Sequence, residues 1–135
     1  MKTWTGRTAW LRLCTVVCVL VLSGAPGLAR AQALPEMAAR QVSPSAWYVQ
    51  GLSGLGSSTN QNFISNAGFV LTPAGVVVID ALGSLALATR LLAEIRKVTA
   101  LPVTHVIVTH YHADHIYGLQ VFQALGARVV AHRAA

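Results

Sequence analysis

The chain has 135 residues, of which 54% are hydrophobic and 10% charged, and ten lysines and arginines outweigh four acids to give a net charge of +6. That length accommodates one domain rather than two, and the composition is too apolar and too poor in charge for a disordered chain. The sequence contains no apolar tract of about 18 residues or more, so it predicts no conventional membrane span. The basic balance would fit nucleic acid or a membrane surface, and the positions of the charges test that interpretation.

The first 31 residues have the organisation of an export signal. They hold no acid and four of the ten bases, namely Lys2, Arg7, Arg12 and Arg30. Residues 13–22 (LCTVVCVLVL) form a short apolar run, which is followed by Gly and Pro and then by small residues. This order is typical of a secretory signal peptide at 1–31, with cleavage before Gln32 or Leu34. An uncleaved membrane anchor is the less favoured alternative, because a run of this length rises only about 15 Å as a helix.

Cleavage would change which partners the charge predicts. Residues 32–135 carry six bases and four acids, a net charge of +2, and their bases are scattered rather than arranged in a stripe. Nucleic acid is therefore not an expected partner. Both cysteines, Cys14 and Cys18, lie in the apolar run, so the mature chain would depend on its core or on metal for stability. We expect an exported protein of the bacterial periplasm, with no stable membrane span after cleavage.

The remaining chain alternates between strand and helix patterns. Apolar and β-branched runs predict strands at 46–50, 63–71, 76–80, 103–108 and 128–131. Residues 32–45 are a loose lead-in, and the Gly/Ser/Asn-rich residues 51–61 predict a loop. Ser84 is a good N-cap for a helix over 84–100, whose apolar residues recur at helical spacing, and a second helix is predicted over 118–125. This order predicts an α/β layered domain with short connections.

The residues with chemical potential lie directly after the fourth predicted strand, in the run HYHADH at 110–115. Imidazole nitrogens suit zinc, and a carboxylate adds a harder ligand. His110 and His112 are two residues apart, so an extended chain points both in the same direction, whereas Asp114 and His115 come after the chain turns. One loop therefore offers two ligands to one ion and two to a neighbouring ion. The alternatives are a chance cluster of surface histidines and a metal site without catalysis.

This run resembles the His-x-His-x-Asp-His motif of the metallo-β-lactamase superfamily. Strand 76–80, which ends in Asp80, resembles the hydrophobic strand that ends in Asp in that superfamily. The resemblance covers about residues 46–135. It implies the N-terminal half of an αββα sandwich, because superfamily domains run to about 200 residues or more and supply further ligands downstream of the motif.

The resemblance also implies roles for individual residues. His110 and His112 would bind a first metal ion, and Asp114 and His115 a second. Asp114 would also do catalytic work, by positioning the nucleophile and managing its proton. Asp80 would brace the histidine loop through hydrogen bonds that orient the ligands.

Three further features bear on the resemblance: the residues that follow the motif, a later histidine, and a likeness to a second branch of enzymes. Tyr117 stands where many members have the first of two glycines, and only Gly118 remains. We expect Tyr117 to pack under the loop, the alternatives being that it narrows the pocket or supplies a hydroxyl. His132 is expected not to be a ligand. The segment HADHIYG at 112–118 also resembles the persulfide-dioxygenase branch, which uses a single iron.

Three functional hypotheses follow from the resemblance. The favoured one is an exported hydrolase with dinuclear zinc, in which hydroxide on the metal attacks an ester, thioester or lactam carbonyl of a small-molecule substrate. The second is a mononuclear iron enzyme similar to persulfide dioxygenases. The third is an inactive fragment that binds metal weakly, because the ligands expected downstream of the motif are missing.

Overall fold

The computed structural model describes residues 35–134, so the predicted signal peptide and its cleavage sites lie outside the described residues. In chain order the elements are β1 (Arg40–Ser43), β2 (Ala46–Val49), β3 (Ala67–Thr72), β4 (Gly75–Ile79), α1 (Leu85–Val98), β5 (Val103–Val108), α2 (Ala113–Ile116), α3 (Leu119–Gln123) and β6 (Arg128–Ala131). None of the helices between residues 35 and 134 is long and apolar enough to cross a membrane.

The six strands found within residues 35–134 form one mixed sheet in sequence order. β1 to β4 pair antiparallel, and β4, β5 and β6 pair parallel. Tight turns join β1 to β2 and β3 to β4, whereas residues 50–66 form a longer loop between β2 and β3. At the β3–β4 turn Gly75 adopts a φ of 132°, a region that favours glycine. Parallel strands need longer crossovers, which α1 supplies between β4 and β5, and α2 with α3 between β5 and β6. The carboxyl ends of β4 and β5 therefore lie side by side at one edge of the sheet.

Helix α1 forms where the sequence predicts it. The side chain of Ser84 accepts a hydrogen bond from the main-chain N–H of Leu87 at 3.2 Å, which satisfies one of the free donors of the first turn. The buried residues of α1 recur at helical spacing and include Leu87, Leu91 and Ile95, each with 0% exposure. Full burial of such a side chain contributes about 1.5–3 kcal/mol. The helix ends at Val98, slightly earlier than predicted, with Thr99 as its C-cap.

The core lies on one face of the sheet. Phe69, Val78 and Val106 are register neighbours on adjacent strands, and all three have 0% exposure. They belong to the same hydrophobic cluster as the buried face of α1. Trp47 extends this layer by stacking on Phe69, with ring centroids 5.5 Å apart. The opposite face is less covered, since Ile107 of β5 is 41% exposed there.

Three sequence predictions need correction. Residues 40–43, predicted as part of a loose lead-in, form β1; the strand is exposed along its whole length, so no apolar alternation announces it. β3 begins at Ala67 rather than at residue 63, because the main-chain N–H of Phe63 bonds to Asn60 within the loop. The helix predicted over 118–125 is shorter, and Asp114 and His115 lie in a separate short helix before it.

Glu94 connects α1 to the segment that precedes β1. Its carboxylate accepts hydrogen bonds from the main-chain N–H of Ala39 at 3.1 Å and from the ammonium of Lys97. Burial by itself raises the pKa of this carboxyl. The hydrogen bonds from Lys97 and Ala39, together with the charges of Lys97 and Arg90, outweigh burial, and the pKa of Glu94 lies below its ordinary value.

Glu94→Gln is expected to reduce stability in a pH-dependent manner. A carboxyl whose pKa is lower in the folded than in the unfolded chain stabilises the fold fully above the unfolded pKa, and this contribution is lost as the pH falls through the folded pKa. We expect the variant to lose about 1 kcal/mol at neutral pH and to approach the wild type as the pH falls below the ordinary range of a carboxyl pKa. Urea denaturation at several pH values measures this, with the exposed Glu36→Gln as control. A loss that did not depend on pH would contradict the prediction.

Candidate metal centre

The predicted site residues converge on the sheet edge where β4 and β5 end. Asp80 follows β4 directly, and its main-chain N–H donates to Ile107 at 2.9 Å. β5 ends at Val108, and residues 109–112 run on to α2, which carries Asp114 and His115 in a single turn. The parallel pairing of β4 with β5 thus places Asp80 beside the histidine run 30 residues later.

Asp80 is the polar centre of this edge. The residue is 4% exposed and adopts a φ of 59°, a region that Asp tolerates better than most side chains. Oδ1 accepts from the main-chain N–H of Thr109 at 2.8 Å, and Oδ2 accepts from the Thr109 hydroxyl at 2.7 Å. Oδ2 also lies 2.7 Å from Nδ1 of His115. One carboxylate therefore joins the end of β4 to the end of β5 and to α2.

These contacts determine which ring nitrogen carries the proton in His110 and in His115. Since a carboxylate only accepts, Nδ1 of His115 carries the proton and Nε2 keeps its lone pair. The Thr109 hydroxyl donates to Asp80, so its oxygen accepts from Nδ1 of His110 at 2.9 Å. Nε2 of His110 therefore keeps its lone pair and accepts a hydrogen bond from Nδ1 of His112. Asp80 thus sets the tautomer of His115 directly and that of His110 through Thr109.

Two pairs of possible metal ligands result. Nε2 of His110 lies 3.1 Å from Nδ1 of His112, and Nε2 of His115 lies 3.5 Å from Oδ2 of Asp114. Two ligands at about 2.0–2.1 Å on a tetrahedral zinc ion are separated by about 3.3 Å, so both pairs have nearly that spacing. The two pairs adjoin, because the rings of His110 and His115 have centroids 4.0 Å apart.

Each pair of side chains therefore offers two ligands to a metal ion. Within residues 35–134, no group of three or more histidine, cysteine or carboxylate side chains is placed to hold one ion. The donor types and the spacing of each pair suit zinc or a similar transition ion, and each pair would supply two of the three protein ligands that a catalytic zinc commonly takes. The assignment of His110, His112, Asp114 and His115 as ligands stays a prediction.

A cavity of about 540 Å³ borders the second of these pairs. Asp80, Asp114 and His115 line its polar side, and Ile64 and Ile79 are among its apolar residues. The cavity therefore places polar and apolar surface next to each other at the sheet edge.

Two residues near the motif lie away from these contacts. Tyr117 is 61% exposed, so the prediction that it packs under the loop is wrong. Its neighbour Gly118 occupies the buried position, where its N–H donates to Leu82 at 3.0 Å. His132 follows β6 and is exposed, and its Nδ1 accepts from the main-chain N–H of Ala134.

Sequence reasoning missed Thr109 and Ser65. The hydroxyl of Thr109 connects Asp80 to His110 through two hydrogen bonds, and the Ser65 hydroxyl donates to the main-chain oxygen of Asp114. Thr109 stands next to the motif, which was a usable signal. Ser65 lies 49 residues before its partner, and no local pattern marks it.

The sequence profile of the metallo-beta-lactamase superfamily matches residues 61–134, which is more than half of the chain. The chain belongs to the metallo-beta-lactamase superfamily. The matched residues include β3, β4, the helices α1 to α3 and every residue of the two ligand pairs. Proteins of this superfamily bind metal, so a metal cofactor is expected for this member as well.

Two relatives extend this finding. A linear primary-alkylsulfatase from Pseudomonas sp. (strain ATCC 19151) is 36% identical over 50 residues, which cover 37% of this chain and 10% of that protein. A metallo-beta-lactamase from Pontibacter korlensis has a similar fold, with a TM-score of 0.61 and 23% identity over 73% of this chain and 44% of that one. This superfamily member is thus an α/β chain that spans less than half of each of these relatives.

Proposed function

We propose that the protein is an exported metal-dependent hydrolase that holds two zinc ions at the edge of the sheet where β4 and β5 end. The observation that carries this proposal is that two pairs of possible ligands lie next to each other at that edge. One pair is His110 with His112, and the other is Asp114 with His115. The family supports hydrolysis in general. The periplasmic location rests on the signal-peptide pattern of residues 1–31.

Each residue of the site has a role that follows from its position. His110 and His112 would hold one ion, and Asp114 and His115 the other. When bound, the ions would supply water activation and stabilise negative charge on the substrate oxygen. Asp114 would orient the attacking water and take up a proton on a carboxylate oxygen. Asp80 keeps His110 and His115 in the tautomers that bind metal.

The substrate we propose is a small molecule with an ester, thioester or lactam carbonyl. A sulfate ester is a second candidate, because one relative is a linear primary-alkylsulfatase that matches over 50 residues. The two candidates are separated by a substrate panel that contains aryl esters, thioesters, a β-lactam and a primary alkyl sulfate, each measured at the same zinc concentration.

His112→Ala is expected to lower zinc affinity and to reduce any hydrolysis by more than about 100-fold, since changes outside the ligand shell alone typically cost about 10–100-fold. Elemental analysis and initial rates measure the two effects. His132→Ala is the control, because that exposed histidine bonds only to the nearby main chain. Unchanged metal content and rate in His112→Ala would contradict the assignment.

Metal analysis also separates the alternative functions. Iron together with thiol-dependent oxygen uptake would favour the mononuclear dioxygenase that HADHIYG resembles. Weak zinc binding without turnover of any substrate in the panel would favour the third hypothesis, an inactive chain that binds metal weakly.

A further inference from the structure

Ser65 links the loop between β2 and β3 to the helix that carries two of the proposed ligands. The residue is 6% exposed, and its hydroxyl donates a hydrogen bond to the main-chain oxygen of Asp114. This contact joins residues 49 positions apart, and it reaches the backbone of Asp114 rather than its carboxylate. Ser65 therefore acts on the position of the helix and leaves the carboxylate of Asp114 free.

The carbonyl of Asp114 needs such a donor because α2 stops after one turn. In a continuing α-helix the N–H of Gly118 would donate to Asp114. Here that N–H donates to Leu82 at 3.0 Å, so the carbonyl of Asp114 is left among the unpaired groups of a helix C-terminus. The carbonyl of His115 is in the same situation and accepts from the N–H of Ala81 at 2.8 Å. Two partners from outside α2 thus hold the backbone of the two ligand residues.

Ser65 is itself held firmly by the loop around it. A Cβ at Gly51 would lie 2.4 Å from the main-chain oxygen of Ser65, so the two backbones are in close contact. The N–H of Gly51 donates to Oδ1 of Asn66 at 3.0 Å, and the N–H of Leu52 donates to Phe63 at 2.8 Å. These contacts on both sides of Ser65 fix the base of the loop, so its hydroxyl is a rigid reference point for α2.

We propose that Ser65 is a positioning residue, whose hydroxyl holds the turn of α2 so that Asp114 Oδ2 and His115 Nε2 face the same point. The consequence for metal affinity rests on the proposed function. The consequence for the backbone of α2 does not, because it follows from the hydrogen bond alone. The two consequences can therefore be measured separately.

The experiment compares Ser65→Ala with Ser84→Ala in the full chain. Both variants remove a hydroxyl that bonds to the main chain, but the Ser84 hydroxyl bonds to Leu87 at the start of α1 rather than to α2. Zinc dissociation constants come from competition with a chromophoric chelator, and amide exchange in the zinc-free chain is followed at Tyr117 and Gly118. Ser65→Cys, whose thiol is slightly larger than the hydroxyl and a weaker donor, replaces Ser65→Ala in the zinc-free exchange measurement if that variant does not fold.

We expect Ser65→Ala to raise the zinc dissociation constant about 10-fold or more and to speed exchange at Tyr117 and Gly118 by a similar factor. Ser84→Ala should change both by less than about 2-fold. If the wild type bound no zinc, the proposed function would fail, and the exchange rates would still decide the role of Ser65. Unchanged exchange in the Ser65 variant, or an equal change in the Ser84 variant, would overturn the proposal.

Discussion

Replacing Asp80 by alanine is expected to lower the free energy of unfolding by about 3 kcal/mol or more. The change leaves three donors without their acceptor, namely the N–H and hydroxyl of Thr109 and Nδ1 of His115. A donor that loses its partner in a buried place costs about 1–3 kcal/mol. Alanine also tolerates the φ of 59° at this position less well than aspartate does. Urea denaturation of the wild type and of the variant measures the difference.

Asp80→Asn separates the two roles of this carboxylate. Asparagine tolerates the same backbone conformation and keeps an oxygen for the N–H of Thr109, so it should recover part of the stability. Its amide nitrogen cannot accept from His115, so zinc affinity should stay about 10–100-fold below that of the wild type. A stability loss below about 1 kcal/mol in Asp80→Ala would show that the network is not a structural centre.

Gly118→Ala is expected to cost about 3 kcal/mol and to disturb α2. A Cβ on Gly118 would lie 2.0 Å from the main-chain oxygen of Ala81 and 2.5 Å from the Cβ of Ala88. Neither neighbour can move aside as a flexible side chain could, because one is backbone and the other lies on the buried face of α1. Overpacking of this kind typically costs about 1–3 kcal/mol, and a clash with backbone lies at the upper end. Thermal or urea denaturation measures the loss.

Gly126→Ala is the matched control for this prediction. Gly126 has a φ of 84°, and a Cβ there would meet nothing within 4 Å, so alanine adds backbone strain without a clash. We expect a cost of about 1 kcal/mol. Gly118 has an ordinary φ of −83°, so its larger cost would be steric. Equal losses at the two glycines would contradict this explanation.

The sequence predicted the parts of the fold whose causes are local. The N-cap at Ser84 and the apolar spacing after it are confirmed as the start and buried face of α1. The strand predicted over 76–80 is confirmed as β4, which spans Gly75–Ile79. By contrast, β1 could not be predicted, because its exposed polar residues are ordered only by pairing with β2. The α/β class and the family followed from the order of elements and from one motif.

Of the candidate site, the sequence by itself determined the donors, and the tertiary structure decided how they are arranged. The run at 110–115 and the Asp at the end of β4 could be read directly, since both are short patterns. Their arrangement, the tautomers of His110 and His115 and the break between α2 and α3 depend on hydrogen bonds to Asp80, Leu82 and Ser65. Those partners lie 35, 36 and 49 residues before the groups they bond, counting from His115, Gly118 and Asp114. Contacts over such distances arise when the pairing of β3 with β4 and of β4 with β5 brings the segments to one edge, and no local sequence pattern predicts that pairing.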